Sequence, residues 1–75
     1  MLFSTPPARV RLLLEVLHEN GGILQFPEGE YPPFASEDTI DETHHKGFVS
    51  CIPGDPSRPY EVVILKRKGV RALGH

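Results

Sequence analysis

Apolar positions along the chain change their spacing three times, and each change marks an element. From Ala8 to Asn20 nothing breaks a helix, and Val10, Leu13, Leu14 and Leu17 recur at i, i+3, i+4 and i+7. That spacing gathers side chains on one face of an α-helix. Leu12 and Val16 widen the stripe, while Arg9, Arg11, Glu15, His18 and Glu19 take the flank. Thr5 followed by Pro6 and Pro7 signals the start, a hydroxyl to cap free amides and then prolines where an N–H has no partner to lose. Asn20-Gly21-Gly22 signals the stop, because glycine takes the left-handed conformation at little cost.

Beyond the stop, Ile23 to Phe26 suits a short strand that Pro27 ends. Residues 27–34 then form an extended, proline-rich loop whose aromatics, Tyr31 and Phe34, are expected to fold back onto the core; as a polyproline-type ligand the segment lacks a basic anchor. Ser36-Glu37-Asp38-Thr39 opens a second helix, with a capping serine and acids where the helix dipole favours them. It is expected to reach about His45, turning Ile40, Thr43 and His44 inward, before Gly47 breaks it. Phe48 to Ile52 and Tyr60 to Leu65 then read as two strands. Alternation puts Phe48, Ser50 and Ile52 on one face and Val49 and Cys51 on the other; Tyr60, Val62 and Ile64 likewise oppose Glu61, Val63 and Leu65. A loop rich in proline joins them with Arg58 at its tip, and Gly69 divides the basic Lys66-Arg67-Lys68 from a last turn near Leu73. The expected class is α+β: an N-terminal helix, a short second helix and a small antiparallel sheet built on a C-terminal β-hairpin.

Length sharpens this picture. Seventy-five residues are read as a single domain, 1–75. A chain this short buries only about 60% of the surface that its unfolded form exposes. The core is thin, and a homodimer that adds apolar cover stays open. Cys51 is the sole cysteine, so no disulfide forms within the chain. Apolar runs such as Leu12-Leu13-Leu14 fall far short of the roughly 20 residues that cross a bilayer, and Met1-Leu2-Phe3 lacks the basic lead of a signal peptide. The expectation is a cytoplasmic protein with no membrane partner. Net charge is −2, but residues 1–45 set eight acids against two arginines, while residues 46–75 set six Lys and Arg against Asp55 and Glu61. Such polarity suits either an anionic partner at one end or pairing between the halves.

Candidate chemistry is sparse. Asp41, His44, His45 and Cys51 lie close in sequence, yet adjacent histidines on a helix point about 100° apart and no Cys or His pair recurs at zinc-site spacing. Cys51 stands mid-strand without a base in register, and the carboxylate pairs Glu37-Asp38 and Asp41-Glu42 sit on a water-facing helix where nothing drives their acidities apart. No glycine loop that cradles phosphate follows a strand; Pro53-Gly54-Asp55 is a turn. No enzyme activity, metal or cofactor is expected. Arg58, Lys66, Arg67, Lys68 and Arg71 remain as a basic set, either a contact to nucleic acid or a solvated edge that deters aggregation.

The stretch Gly47-Phe48-Val49, the polar loop with Arg58, and Tyr60 through Leu73 resemble the wing and exit of winged-helix transcriptional regulators of the multiple-antibiotic-resistance and phenolic-acid-regulator kind. Leu65, Lys68, Gly69, Arg71, Ala72 and Leu73 match that pattern, and Lys66 stands where a threonine is usual. The first helix and Ile23-Leu24 suit the opening of the same fold. Between them the chain departs from it: the proline-rich loop and one acidic helix, carrying Glu37, Asp38, Asp41 and Glu42, occupy the place of a helix-turn-helix pair. The resemblance implies a winged-helix-like domain in transcription regulation, contacting double-stranded DNA through Arg58, Lys66, Arg67, Lys68 and Arg71. The alternative is a protein-binding module that engages the transcription machinery or a regulator through Tyr31, Phe34, Glu37, Asp38, Asp41 and Glu42.

Overall fold

The computed structural model describes residues 6–26, 30–54 and 59–74. In chain order the elements are α1 (Ala8–Glu19), β1 (Ile23–Gln25), a 3₁₀ turn (Pro33–Ala35), α2 (Glu37–His45), β2 (Val49–Ile52), β3 (Val62–Leu65) and α3 (Arg67–Ala72). The class is α+β: the described residues form three α-helices on a three-stranded antiparallel sheet of order β1-β3-β2.

The stripe on α1 is the core's largest component. Val10, Leu13, Leu14 and Leu17 are fully buried and meet Val63 and Val49 of the sheet, Ile40 of α2, Ala35 of the 3₁₀ turn, Phe26 and Leu73. The helix ends as its glycines require. Gly22 N–H donates to Leu17 C=O at 2.7 Å and Gly21 N–H to His18 C=O at 3.4 Å, with both glycines at positive φ. This is the paired closure that a left-handed residue allows. At the other end the expected cap differs: Pro7 holds the N-cap position, in extended conformation and without a side-chain cap bond, while Thr5 lies outside the described residues.

Helix α2 is capped as its sequence suggests, Ser36 Oγ accepting from Thr39 N–H at 3.3 Å. Its inner face is Thr39, Ile40 and Thr43. Thr43 Oγ1 donates to Thr39 C=O at 2.6 Å, so a buried hydroxyl is satisfied within the helix. His44, expected inside, is exposed: Thr39, Ile40 and Thr43, at i, i+1 and i+4, already fill the face toward α1 and the sheet.

Strand register bears out the alternation. Leu24, Val63 and Cys51 align across the sheet on the core side, as do Leu65 and Val49. The other face carries Ile23, Ile64 and Ser50 in one row and Gln25, Val62 and Ile52 in the next, with Ile23 39% and Ile52 49% exposed. The strands are shorter than expected, starting at Val49 and Val62, although backbone bonds extend the ladder through Glu61 N–H to Ile52 C=O at 2.8 Å and Lys66 N–H to Phe48 C=O at 2.9 Å.

Gly69 does not divide the basic run from a later turn; it sits inside α3 and is buried. A Cβ there would meet Phe48 C=O at 2.5 Å, Leu65 Cδ1 at 2.7 Å and Leu14 Cδ2 at 3.2 Å. A helix interior ordinarily gains about 1 kcal/mol from Gly→Ala. Here the sign reverses, because a backbone carbonyl cannot move aside cheaply. Gly69→Ala is expected to destabilise by about 2–3 kcal/mol, read as a lowered urea midpoint; an unchanged or raised midpoint would show that α3 does not bear on β2 and α1 in this way.

Candidate nucleic-acid interface

Pairing of Val49 with Leu65 brings the start of β2 and the end of β3 to one end of the sheet. The segments leaving that end are basic. Lys46 caps the C-terminus of α2, Lys66 caps the N-terminus of α3, and Arg67, Lys68 and Arg71 follow on α3. Gly47, at positive φ, closes α2 beside Lys68; a Cβ on it would lie 3.7 Å from Lys68 Nζ. Lys68 Nζ in turn stands 5.7 Å from the centre of the Phe48 ring, a cation–π contact that holds the side chain over β2.

All five cations are exposed, and among the described residues none forms an ion pair. The two N-terminal arginines behave differently. Arg9 pairs with Glu42, and Arg11 pairs with Glu15 at 3.2 Å while its guanidinium also reaches Ala72 C=O at 3.4 Å. The internal acids therefore engage the cations of α1 and leave those of the sheet end to solvent. Lys46 belongs to this group although its place in the sequence hides it. Twenty residues separate it from Lys66, and only the register of the hairpin places them together. Arg58, expected at the loop tip, lies outside the described residues.

The residues expected to bind protein scatter. Tyr31 is half-buried: its hydroxyl donates to Tyr60 C=O at 2.9 Å, accepts from Tyr60 N–H at 3.2 Å, and its ring meets Phe26 edge-on at 5.4 Å. Phe34, in the 3₁₀ turn, packs against the core. Both are therefore engaged inside, as the fold-back of the loop anticipates. Glu37 and Asp38 are exposed on the first turn of α2, Asp41 accepts from Tyr60 Oη at 2.5 Å, and Glu42, 27% exposed, is held by Arg9. Nine residues of helix place Glu37 about 13 Å along the axis from Lys46. Glu37 and Asp38 thus lie at the opposite end of α2 from Lys46, with Asp41 and Glu42 between.

Beside Asp41 lie the remaining reactive groups. Burial first, and then the charge of Asp41, push the Cys51 thiol up to about 11. Tyr60 is raised as well, chiefly by its hydrogen bond to Asp41, and its ring meets His44 edge-on at 6.2 Å. A thiol held protonated at neutral pH is a poor nucleophile. Among the described residues no group of three or more His, Cys, Asp or Glu is placed to hold a metal ion, and no helix is long and apolar enough to cross a membrane.

Compared with protein-family models, with curated proteins and with solved structures, the chain gives no match. Its own residues carry the functional reading.

Two outcomes are expected from this geometry. Tyr31→Phe strands the N–H and C=O of Tyr60 and should lower stability by about 1–2 kcal/mol in urea unfolding; no loss would mean that the hydroxyl is not tying the loop to the hairpin. For Cys51 the folded value, about 11, exceeds the ordinary 9.0, so the unfolded chain releases its proton first. Stability present below pH 9 should fall as pH rises toward 11, and at pH 8 alkylation should run on the order of a hundredfold slower than in the urea-unfolded chain. Equal rates in the two states would contradict the burial of the thiol.

Proposed function

We propose that the chain is a small winged-helix-like domain that binds duplex DNA in transcription regulation, through the cationic end formed by Lys46, Lys66, Arg67, Lys68 and Arg71. The observation that carries this reading is the contrast in pairing: Arg9 and Arg11 are engaged by acids within the fold, whereas five cations from two separate segments, the end of α2 and the start and body of α3, are exposed and, among the described residues, without an ion pair. Unpaired, solvated cations gathered on one surface are what a polyphosphate rewards, because each contact releases condensed counterions. The resemblance of residues 47–73 to a wing and its exit agrees with an antiparallel hairpin, β2 and β3, that leads directly into the basic α3. Among the described residues between β1 and β2 there is one α-helix, α2, and its first turns are acidic on the outward side.

A second reading, a module for a cationic protein surface, is favoured by the exposure of Glu37 and Asp38 with Asp41 beside them. It loses Tyr31, Phe34 and Glu42, whose contacts lie within the molecule.

Titration with a labelled duplex at 50 and 200 mM salt tests the DNA reading. Four to five phosphate contacts correspond to a loss of affinity of about 100- to 500-fold between the two conditions. No binding at 50 mM, or binding indifferent to salt, would overturn it.

A further inference from the structure

We infer that the basic end grips the sugar-phosphate backbone of duplex DNA without reading base sequence, and that α2 is held out of the major groove. This inference rests on the DNA-binding reading above and specifies the ligand of that same surface.

Groove reading needs a helix that projects and carries donors or amides matched to base edges, chiefly Arg, Asn or Gln. Neither candidate helix meets both conditions. On α2 the exposed side chains are Glu37, Asp38, Asp41, His44 and His45, with no Arg, Asn or Gln in the helix. To place that side in a groove, its carboxylates would have to lie between two rows of phosphates, where like charges repel. On α3 the donors are present but the helix does not project. It is six residues and about 9 Å long, and at Gly69 its backbone lies so close to Phe48 C=O, Leu65 and Leu14 that even a Cβ is excluded. A helix with side chains is about 10–12 Å across, and one laid flush on the body cannot sink into a groove about 8.5 Å deep. It can present only its outward side, Arg67, Lys68 and Arg71.

The remaining contacts are ammonium groups. Lys46, Lys66 and Lys68 offer point charges on flexible stems, which take a phosphate in many geometries and carry no base code. The first acids of α2 stand back from them. Glu37 is about 13 Å from Lys46 along α2, beyond the Debye length of about 8 Å at physiological ionic strength, while Asp41 is nearer and Glu15 is held by Arg11, which also reaches Ala72 C=O of α3. With the cationic end on the duplex, the N-terminus of α2 points away from it.

The experiment uses the full chain and three labelled duplexes of equal length, A·T-rich, G·C-rich and mixed, together with a single strand of the mixed sequence, all at 50 and 200 mM salt. Affinities for the duplexes should agree within about threefold, since a single discriminated base pair alone costs about 1–3 kcal/mol. The triple variant K66Q/R67Q/K68Q should weaken all three duplexes alike and reduce the salt slope by about three. E37Q/D38N/D41N should raise affinity for all three duplexes by a common factor and create no sequence preference, because the charges removed act on the phosphates of every sequence alike. Thermal unfolding of each variant separates lost binding from lost folding. A tenfold preference for one duplex, tighter binding of the single strand, or a triple-variant effect that differs between sequences would overturn the backbone-only inference while leaving DNA binding in place. Failure of every duplex to bind at 50 mM would instead overturn the DNA reading itself.

Discussion

Four side chains on one helix decide where everything else can go. With Val10, Leu13, Leu14 and Leu17 fully buried, α1 packs against β1, β3, α2, α3 and the 3₁₀ turn. A chain of this length has no second layer of apolar cover, so each element must reach that stripe or be left without a core. The requirement explains the close approach of α3. Gly69 lets its backbone settle against Leu14 and the end of β2, and Leu73 then enters the core from the same direction.

Polar groups do the fastening where apolar ones are too few. Helix α2 has one large apolar anchor, Ile40, and completes its inner face with Thr39 and Thr43, whose hydroxyls are satisfied locally. A buried hydroxyl bonded within its own helix avoids the desolvation penalty of an orphaned one and still fills space. The proline-rich loop is tied similarly, Tyr31 meeting both backbone groups of Tyr60 across the hairpin. Asp41, on the neighbouring turn of α2, receives the hydroxyl of Tyr60 itself. Loop, hairpin and second helix therefore meet at one tyrosine.

The same economy of charge shapes the surface. Glu42 and Glu15 are drawn to Arg9 and Arg11, pairs that are exposed and individually weak. Their consequence lies elsewhere: among the described residues, Lys46, Lys66, Arg67, Lys68 and Arg71 form no ion pair. Lys46 and Lys66 sit at one end of the sheet and Glu37 and Asp38 at the far end of α2, so charge is separated along that helix rather than mixed. If duplex DNA is the partner, as we propose, a field of this kind orients it before contact and favours an end-on approach over insertion of the acidic helix.

Much of this architecture was legible in the sequence because it depends on local spacing. The period of Val10, Leu13, Leu14 and Leu17, the Gly21-Gly22 stop, the Ser36 cap and the alternation through Phe48–Ile52 and Tyr60–Leu65 are properties of neighbours a few residues apart, and backbone geometry converts them into helix, turn or strand whatever surrounds them. What the sequence by itself could not determine depends on contacts across the chain. Lys46 joins the basic end only because antiparallel pairing sets Val49 opposite Leu65. Glu42 leaves the acidic surface only because α1 brings Arg9 to it. Gly69 reads as a break in the basic run, yet Phe48, Leu65 and Leu14 make it the position where a helix can touch the body. A side chain's local preference is set within a turn or a pleat, but whether a charge stays free or a glycine is a hinge or a seat is set by what packs against it. Those partners, many residues away in sequence, are chosen only when the core closes.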